Sequence, residues 1–169
     1  SIHKTVPQEL EEKNWFFRLS DYLPLVREKI ENGELTIHPD ERKNETLGLF
    51  EQGIDDFSIS RSTVTWGIPI PWDETQKAYV WVDALLNYIT ALGYPEDLVK
   101  TDAWWRDSEV IQLMAVDILK FHAVYWPALL IALGLTVPRH LYVHGFITID
   151  GQKMSKSLGN SILPGDLIA

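Results

Sequence analysis

EVIQLMAVDILKFHAVYWPALLIALG, residues 109 to 134, decides the fold. Glu109 to Ala115 is a short apolar run of the length of a buried strand. Asp117 to Leu133 is too long for a strand and reads as a helix stopped by Gly134. A buried strand feeding directly into a long helix is half of a βαβ unit, because parallel neighbours need a crossover and the helix covers the sheet face. The pattern recurs on both sides. Ala78 to Val82 reads as a strand and Ala84 to Leu92 as a helix ended by Gly93, while His140 to Ile149 reads as a third strand. The expected fold class is α/β with an open parallel sheet.

Upstream, the spacing of Leu10, Trp15, Phe16, Leu19, Leu23 and Val26 predicts helix over Pro7 to Ile30, with Asn32-Gly33 as the stop. Pro39 to Gln52 reads as a second helix ended by Gly53. From Asp56 the character changes: Phe57 to Ser60 alternates like a strand, and the proline-rich Trp66 to Trp72 reads as an extended loop. Residues 1–55 are therefore expected to be a helical segment and 56–169 the α/β portion.

Composition removes several function classes. The 169 residues are 46% apolar, enough for one sizeable core. Ala123 to Leu135, the longest apolar stretch, is interrupted by Tyr125, Pro127 and Gly134, so no membrane partner is expected. The absence of cysteine excludes disulfides and a thiolate zinc site in this segment. A formal charge of −9 argues against a general RNA-coating surface, so nucleic-acid contact would rest on local basic spots.

In open parallel sheets, ligands collect beyond the carboxyl ends of the strands. The expected ends are Trp81-Val82-Asp83-Ala84, Met114-Ala115-Val116-Asp117, and His144-Gly145 or Asp150-Gly151. The last leads into GQKMSKSLGN, residues 151–160. Lys153 and Lys156, on a glycine-flanked loop at the rim of such a site, can carry ammonium groups to phosphates. Asp83 reads either as a helix N-cap or as a contact for a substrate ammonium group. The stripe Ile118, His122, Tyr125, Trp126 falls on one helix face, a pattern that serves a core as well as a pocket.

Lys153-Met154-Ser155-Lys156-Ser157 is the second signature of the class I aminoacyl-tRNA synthetases. NWFFRLSDY (14–22), DFSISR (56–61), WGIPIPWD (66–73), YVWVDALLNYIT (79–90), DILKFHAVYWPALL (117–130) and VHGFITIDGQKMSKSLGN (143–160) together resemble the methionyl-tRNA synthetases of bacterial type over nearly the whole chain. The resemblance implies that residues 56–169 form the second half of a Rossmann-type catalytic domain and residues 1–55 the helical end of the connective insertion. It implies ATP-dependent activation of methionine to methionyl-adenylate and transfer to tRNA(Met), with magnesium accompanying ATP, zinc outside this segment, and a cytoplasmic location.

Carried onto matching positions, the resemblance implies a methionine pocket of Trp81, Ala84, Tyr88, Ile118, His122 and Trp126. It implies ATP contacts at Asp117, His144, Gly145, Met154 and Lys156, and catalytic roles for Lys153 and Lys156. Thioether-to-aromatic contacts make such a pocket chemically sensible. The sequence departs from the family pattern at Gln112, Ala115 and Val116, where histidine, glycine and lysine are usual. A methyl at Ala115 would obstruct adenosine if the backbone there had to pack against it or take positive φ.

No His-Ile-Gly-His type signature occurs, so the chain is expected to need a separate N-terminal half of the catalytic domain as partner and to be inactive alone. An uncovered sheet edge and face would then favour self-association. The alternatives are a non-catalytic folding or ligand-binding piece, or a class I enzyme for leucine, isoleucine or valine. The aromatic set at Trp81, Tyr88 and Trp126 argues against the latter.

Overall fold

The computed structural model describes residues 11–155, 159–163, 165 and 168. The central sheet has the order β2 (Thr36–His38), β8 (His140–His144), β7 (Ile111–Ala115), with both pairings parallel. Helix α1 (Leu23–Glu31) precedes β2 and α2 (Asp40–Gln52) follows it. Ile37, Gln112, Met114, Leu141 and Val143 face the core, together with Val26 and Ile30 of α1. Helix α5 (Trp126–Ala132) is the centre of that core. Trp126, Ala128 and Leu130 are fully buried and Leu129 nearly so, as expected of a helix apolar on all sides. The opposite sheet face carries the exposed side chains of Ile111, Leu113 and Tyr142. Alternation along β7 and β8 thus leaves one face of a parallel sheet uncovered, whereas such sheets are ordinarily covered on both.

A second, antiparallel sheet has the order β4 (Ser60–Arg61), β6 (Asp73–Ala78), β5 (Pro69–Ile70). Pro69 sits on an edge strand, where its lack of an N–H costs no ladder bond. Two short antiparallel pairs complete the strands, β1 (Phe16–Phe17) with β3 (Phe57–Ser58), and β9 (Thr148–Ile149) with β10 (Gln152–Lys153).

The α/β class and central parallel sheet agree with the sequence reading, but several elements differ. Of the expected helix over Pro7 to Ile30, residues 7–10 lie outside the described residues, and Phe16–Phe17 form a strand. Trp15 is drawn away from helix by its backbone N–H bond to Ser60 Oγ at 2.8 Å and its indole N–H bond to Asp73 Oδ2 at 3.0 Å. The helix begins only at Leu23, with proline in its first turn. Strand β2 lies in the connection between the two expected helices, in the portion expected to be helical with no strand; its three residues are too few to show alternation. Both β1 and β2 find their partners beyond residue 55.

The expected strand over Ala78 to Val82 is displaced. Strand β6 ends at Ala78, Tyr79 is the extended N-cap residue, and helix α3 (Val80–Thr90) begins at once. Trp81 and Asp83 therefore lie on the first turn of a helix, and the expected convergence of three parallel strand ends reduces to two. Asp83 is not the cap, since Tyr79 holds that position, but its carboxylate in the first turn suits the helix dipole. The expected helix over Asp117 to Leu133 is a composite: a tight 3-10 turn at Val116–Ile118, a π-helical turn at Phe121–Tyr125, then α5. The third strand stops at His144. Its expected continuation is the β9–β10 hairpin, turned by Asp150 at φ +51° and Gly151 at φ +76°. An Asp-Gly pair with two positive φ values matches the twist of a two-residue hairpin connection.

Gln112 faces the core of β7, 5% exposed, and neither amide atom has a hydrogen-bond partner. Burying an unpaired amide costs about 1–3 kcal/mol. Gln112→Met, of similar length and without the amide, is therefore expected to raise the urea midpoint by a stability gain of about 1–2 kcal/mol. A lowered midpoint would mean that the amide has a partner in solution.

Candidate active site

Helix α3 presents Trp81, Ala84 and Tyr88 along one side, three and four residues apart. The helical run from Val116 to Ala132 presents Ile118, His122 and Trp126, each four apart. The two stripes meet. The Tyr88 hydroxyl lies 3.0 Å from His122 Nε2, the Tyr88 and Trp126 ring centroids are 5.9 Å apart, and Trp81 stacks on Phe121 at 3.9 Å. Phe121, left without a role by the sequence reading, thus covers Trp81. The π-helical turn adds a residue to the turn that carries Phe121 and His122, a device frequent at functional sites.

The protonation of this pair follows from its partners. His122 is 3% exposed, and its Nδ1 lies 3.0 Å from the Ile118 carbonyl, so Nδ1–H donates there. Burial holds its pKa below the ordinary value near 6.5, so the ring is neutral at pH 7 and Nε2 has a free lone pair. Burial also raises the Tyr88 pKa, which keeps the phenol protonated. The hydroxyl therefore donates to Nε2, and the contact between the helices is made by uncharged groups.

A stability consequence follows. A histidine whose folded pKa is depressed gives full stability above its unfolded value near 6.5, where both states are neutral. As pH falls below that value the unfolded chain takes up the proton first, so stability declines. Urea midpoints measured from pH 7.5 to 5 should fall, and His122→Gln should flatten the fall. An unchanged slope in that variant would remove His122 from the account.

At the carboxyl ends of the parallel strands, Ala115 of β7 pairs with His144 of β8. Ala115 is extended, φ −81° and ψ 157°, so the backbone conformation there does not require glycine. Asp117 lies in the turn that follows, exposed, and is not the cap of its own helix. Lys153 reaches it from β10, Nζ to Oδ2 at 3.0 Å, with the same ammonium 3.8 Å above the Phe146 ring. Two residues far apart in sequence, selected separately for phosphate and ribose roles, thus lie side by side. His144 is exposed and donates from Nδ1 to its own neighbour's carbonyl, Gly145 O, at 2.6 Å.

Met154 is half-buried, and its N–H bonds to Ile147 O at 2.8 Å, continuing the hairpin. Asn160 bonds back to the first and third residues of the motif: its Oδ1 accepts from Ser155 N at 2.8 Å and its Nδ2 donates to Lys153 O at 3.2 Å. Asn160 and Phe146 were not singled out from sequence, and their only signal there is proximity to the lysine motif. Lys156 lies outside the described residues. Asp83 stands apart from the Lys153–Asp117 pair's contacts, on a groove shared with Arg61, whose guanidinium lies 4.0 Å over the Tyr79 ring.

These two neighbourhoods are joined by the turn at Val116–Ile118. Asp117 points to the lysine, and the next carbonyl, that of Ile118, holds His122. An uncharged aromatic cluster thus lies one turn from a carboxylate and its ammonium partner.

Comparison with known proteins gives the family and the fold. The family described as tRNA synthetases class I (M) matches residues 1–169. The methionine--tRNA ligase of Brucella suis is 47% identical over 159 residues, covering 94% of this chain and 30% of that protein. That of Thermosynechococcus vestitus is 46% identical over 174 residues, covering 99% and 32%. Among solved structures, Mycobacterium tuberculosis methionyl-tRNA synthetase bound by methionyl-adenylate superposes with a TM-score of 0.79 at 38% identity, covering 91% of this chain and 30% of that one. The chain spans about a third of the length of these relatives, and within that span the overall fold agrees. It belongs to the class I aminoacyl-tRNA synthetases of the methionyl type.

Proposed function

We propose that this chain supplies the methionine slot and part of the nucleotide site of a methionine--tRNA ligase. The observation that supports it most is the Lys153–Asp117 pair at the strand ends, one turn from the neutral Tyr88–His122 pair. The reaction has two steps. A methionine carboxylate oxygen attacks the α-phosphorus of ATP, a P–O bond forms there, and the bond to the β-phosphate bridge breaks as pyrophosphate leaves. A ribose hydroxyl at the 3′ end of tRNA(Met) then attacks the activated carbonyl, and AMP departs with the bonding pair.

Trp81, Ala84, Tyr88, Ile118, His122 and Trp126 hold the methionine side chain. The unbranched thioether gains from aromatic neighbours, and the absence of charge on His122 and Tyr88 keeps the slot suited to an apolar guest. Asp117 exchanges its lysine partner for the ribose hydroxyls, while His144 and Gly145 lie beside the adenine and Met154 continues the nucleotide wall. Lys153, released from Asp117, and Lys156 stabilise the charge that develops on the α-phosphate and pyrophosphate. Magnesium would arrive with the phosphates. Among the described residues no group of three or more His, Asp or Glu side chains forms an ion cage, so this segment offers little protein ligation for it.

The exposed face with Ile111, Leu113 and Tyr142 is where the remaining two-thirds of such an enzyme would pack. Among the described residues no helix is long and apolar enough to cross a membrane. Methionine-dependent ATP–pyrophosphate exchange by the full-length enzyme carrying this segment tests the proposal. Exchange driven by methionine and not by leucine, isoleucine or valine supports it. Exchange driven by a branched amino acid instead, or none from a folded full-length enzyme, overturns it.

A further inference from the structure

A second cluster of ionisable groups lies away from the aromatic slot, on the seam between β2 and β8. His38 closes β2 and His140 opens β8, and the parallel register pairs Ile37 with Leu141, so the two histidines are diagonal neighbours. His38 Nε2 faces His140 Nδ1 at 3.2 Å. The other nitrogen of His140, Nε2, lies 3.0 Å from Glu109 Oε1. His38 stacks on Tyr142 at a centroid distance of 4.5 Å and 12° between planes.

This arrangement settles where protons sit. The carboxylate of Glu109 only accepts, so His140 Nε2 carries the hydrogen and Nδ1 of the neutral ring is a lone pair directed at His38. A carboxylate that binds the outer nitrogen of an imidazole is the usual support of a metal-ligating histidine, because it fixes the tautomer and raises the basicity of the inner nitrogen. The spacing is also that of a chelate. Two metal–nitrogen bonds of about 2.0–2.1 Å at near-tetrahedral angles place their nitrogens roughly 3.2–3.4 Å apart. His38 becomes the second ligand by moving its proton from Nε2 to Nδ1, with each ring turned so that its lone pair lies roughly 35° off the line between the two nitrogens and the lone pairs converge. Both ligands stand on hydrogen-bonded strands, and Tyr142 restrains the ring of His38. The strands fix the backbone positions of both ligands, which favours binding once the rings have turned.

The geometry points to a transition-metal site at the β2–β8 seam, with His38 Nε2 and His140 Nδ1 as ligands, Glu109 as the residue that orients His140, and water in the remaining positions. Imidazole donors select borderline cations such as Zn2+, Co2+ or Ni2+ over Mg2+ and Ca2+. Bound metal cross-links a three-residue edge strand to the centre of the sheet, so it stabilises the fold. The site is independent of the lysine motif and the methionine slot.

The test is calorimetric titration of the chain with Zn2+ alone at pH 7.5, with Co2+ absorption as a second readout. His38→Gln and His140→Gln are each expected to weaken the site by at least about tenfold, and Glu109→Gln by roughly 10-fold or more. Zn2+ should raise the melting temperature of the unaltered chain and not that of either histidine variant. His144→Gln should bind as the unaltered chain does. Far-UV circular dichroism establishes that each variant is folded; Glu109→Gln, altering one exposed side chain, keeps the test open should a histidine variant unfold. Zn2+ binding that survives both histidine substitutions overturns the proposal, as does absence of binding to the unaltered chain, which would leave the pair as a hydrogen-bonded staple between strands.

Discussion

Lys153→Ala is expected to slow methionyl-adenylate formation by about 10²–10³-fold, the loss typical when one preorganised charge-stabilising donor is removed from a transition state. Without substrate, Lys153 already has a partner. Its ammonium is half-exposed, bonded to Asp117 at 3.0 Å and poised over Phe146. An exposed pair of this kind contributes no more than about 1 kcal/mol to folding, so the variant should fold normally. The loss should appear in ATP–pyrophosphate exchange and single-turnover adenylate formation of the full-length enzyme, while methionine affinity changes little. Asp117→Asn should act differently, raising the ATP requirement through weakened ribose bonding. Equal losses of methionine affinity and adenylate rate in Lys153→Ala would remove the lysine from the phosphate site.

The second large effect concerns the fold. Trp126 is fully buried, edge-on to Trp105 at 5.7 Å and beside Tyr88 at 5.9 Å. Truncating a buried tryptophan to alanine removes its transfer energy and leaves a cavity, at a cost of about 3–5 kcal/mol. Set against a total stability of about 5–15 kcal/mol for an ordinary domain, Trp126→Ala should leave the chain largely unfolded at modest urea concentrations. Trp126→Phe separates packing from binding. The indole N–H is buried without a hydrogen-bond partner, so phenylalanine loses no bond and should fold with a smaller penalty. If Trp126 also lines the methionine slot, the phenylalanine enzyme should show a raised methionine requirement at near-normal ATP requirement. A normal methionine requirement would make Trp126 core alone.

The aromatic stripe and the lysine motif were legible as sequence patterns because each is local. Ile118, His122 and Trp126 lie four apart, and a helix places such residues on one side whatever it packs against. The lysine motif is contiguous, and its placement after a strand follows from the Asp150-Gly151 turn. The contacts that give those residues their chemistry were not legible. Tyr88 and His122 are 34 positions apart in sequence and Asp117 and Lys153 are 36 apart, and neither partner's spacing announces the other. The concern over Ala115 shows the same limit from the other side: the residue type suggested a forbidden backbone, and the actual dihedrals are ordinary.

By itself the sequence determined the α/β class, the helix stops at Gly33, Gly53 and Gly134, the buried character of the segment from Ala123 to Leu130, and membership of the methionyl class I family. These depend on propensity, periodicity and contiguous motifs, which act over a few residues. Only the tertiary structure decided that Thr36–His38 is an edge strand of the parallel sheet, that Trp81 begins a helix, that Phe16–Phe17 pair with Phe57–Ser58, and that His38 faces His140. The reason is that a strand two or three residues long gains almost nothing locally. Its hydrogen bonds come from a partner far along the chain, and the rest of the fold must bring that partner to it.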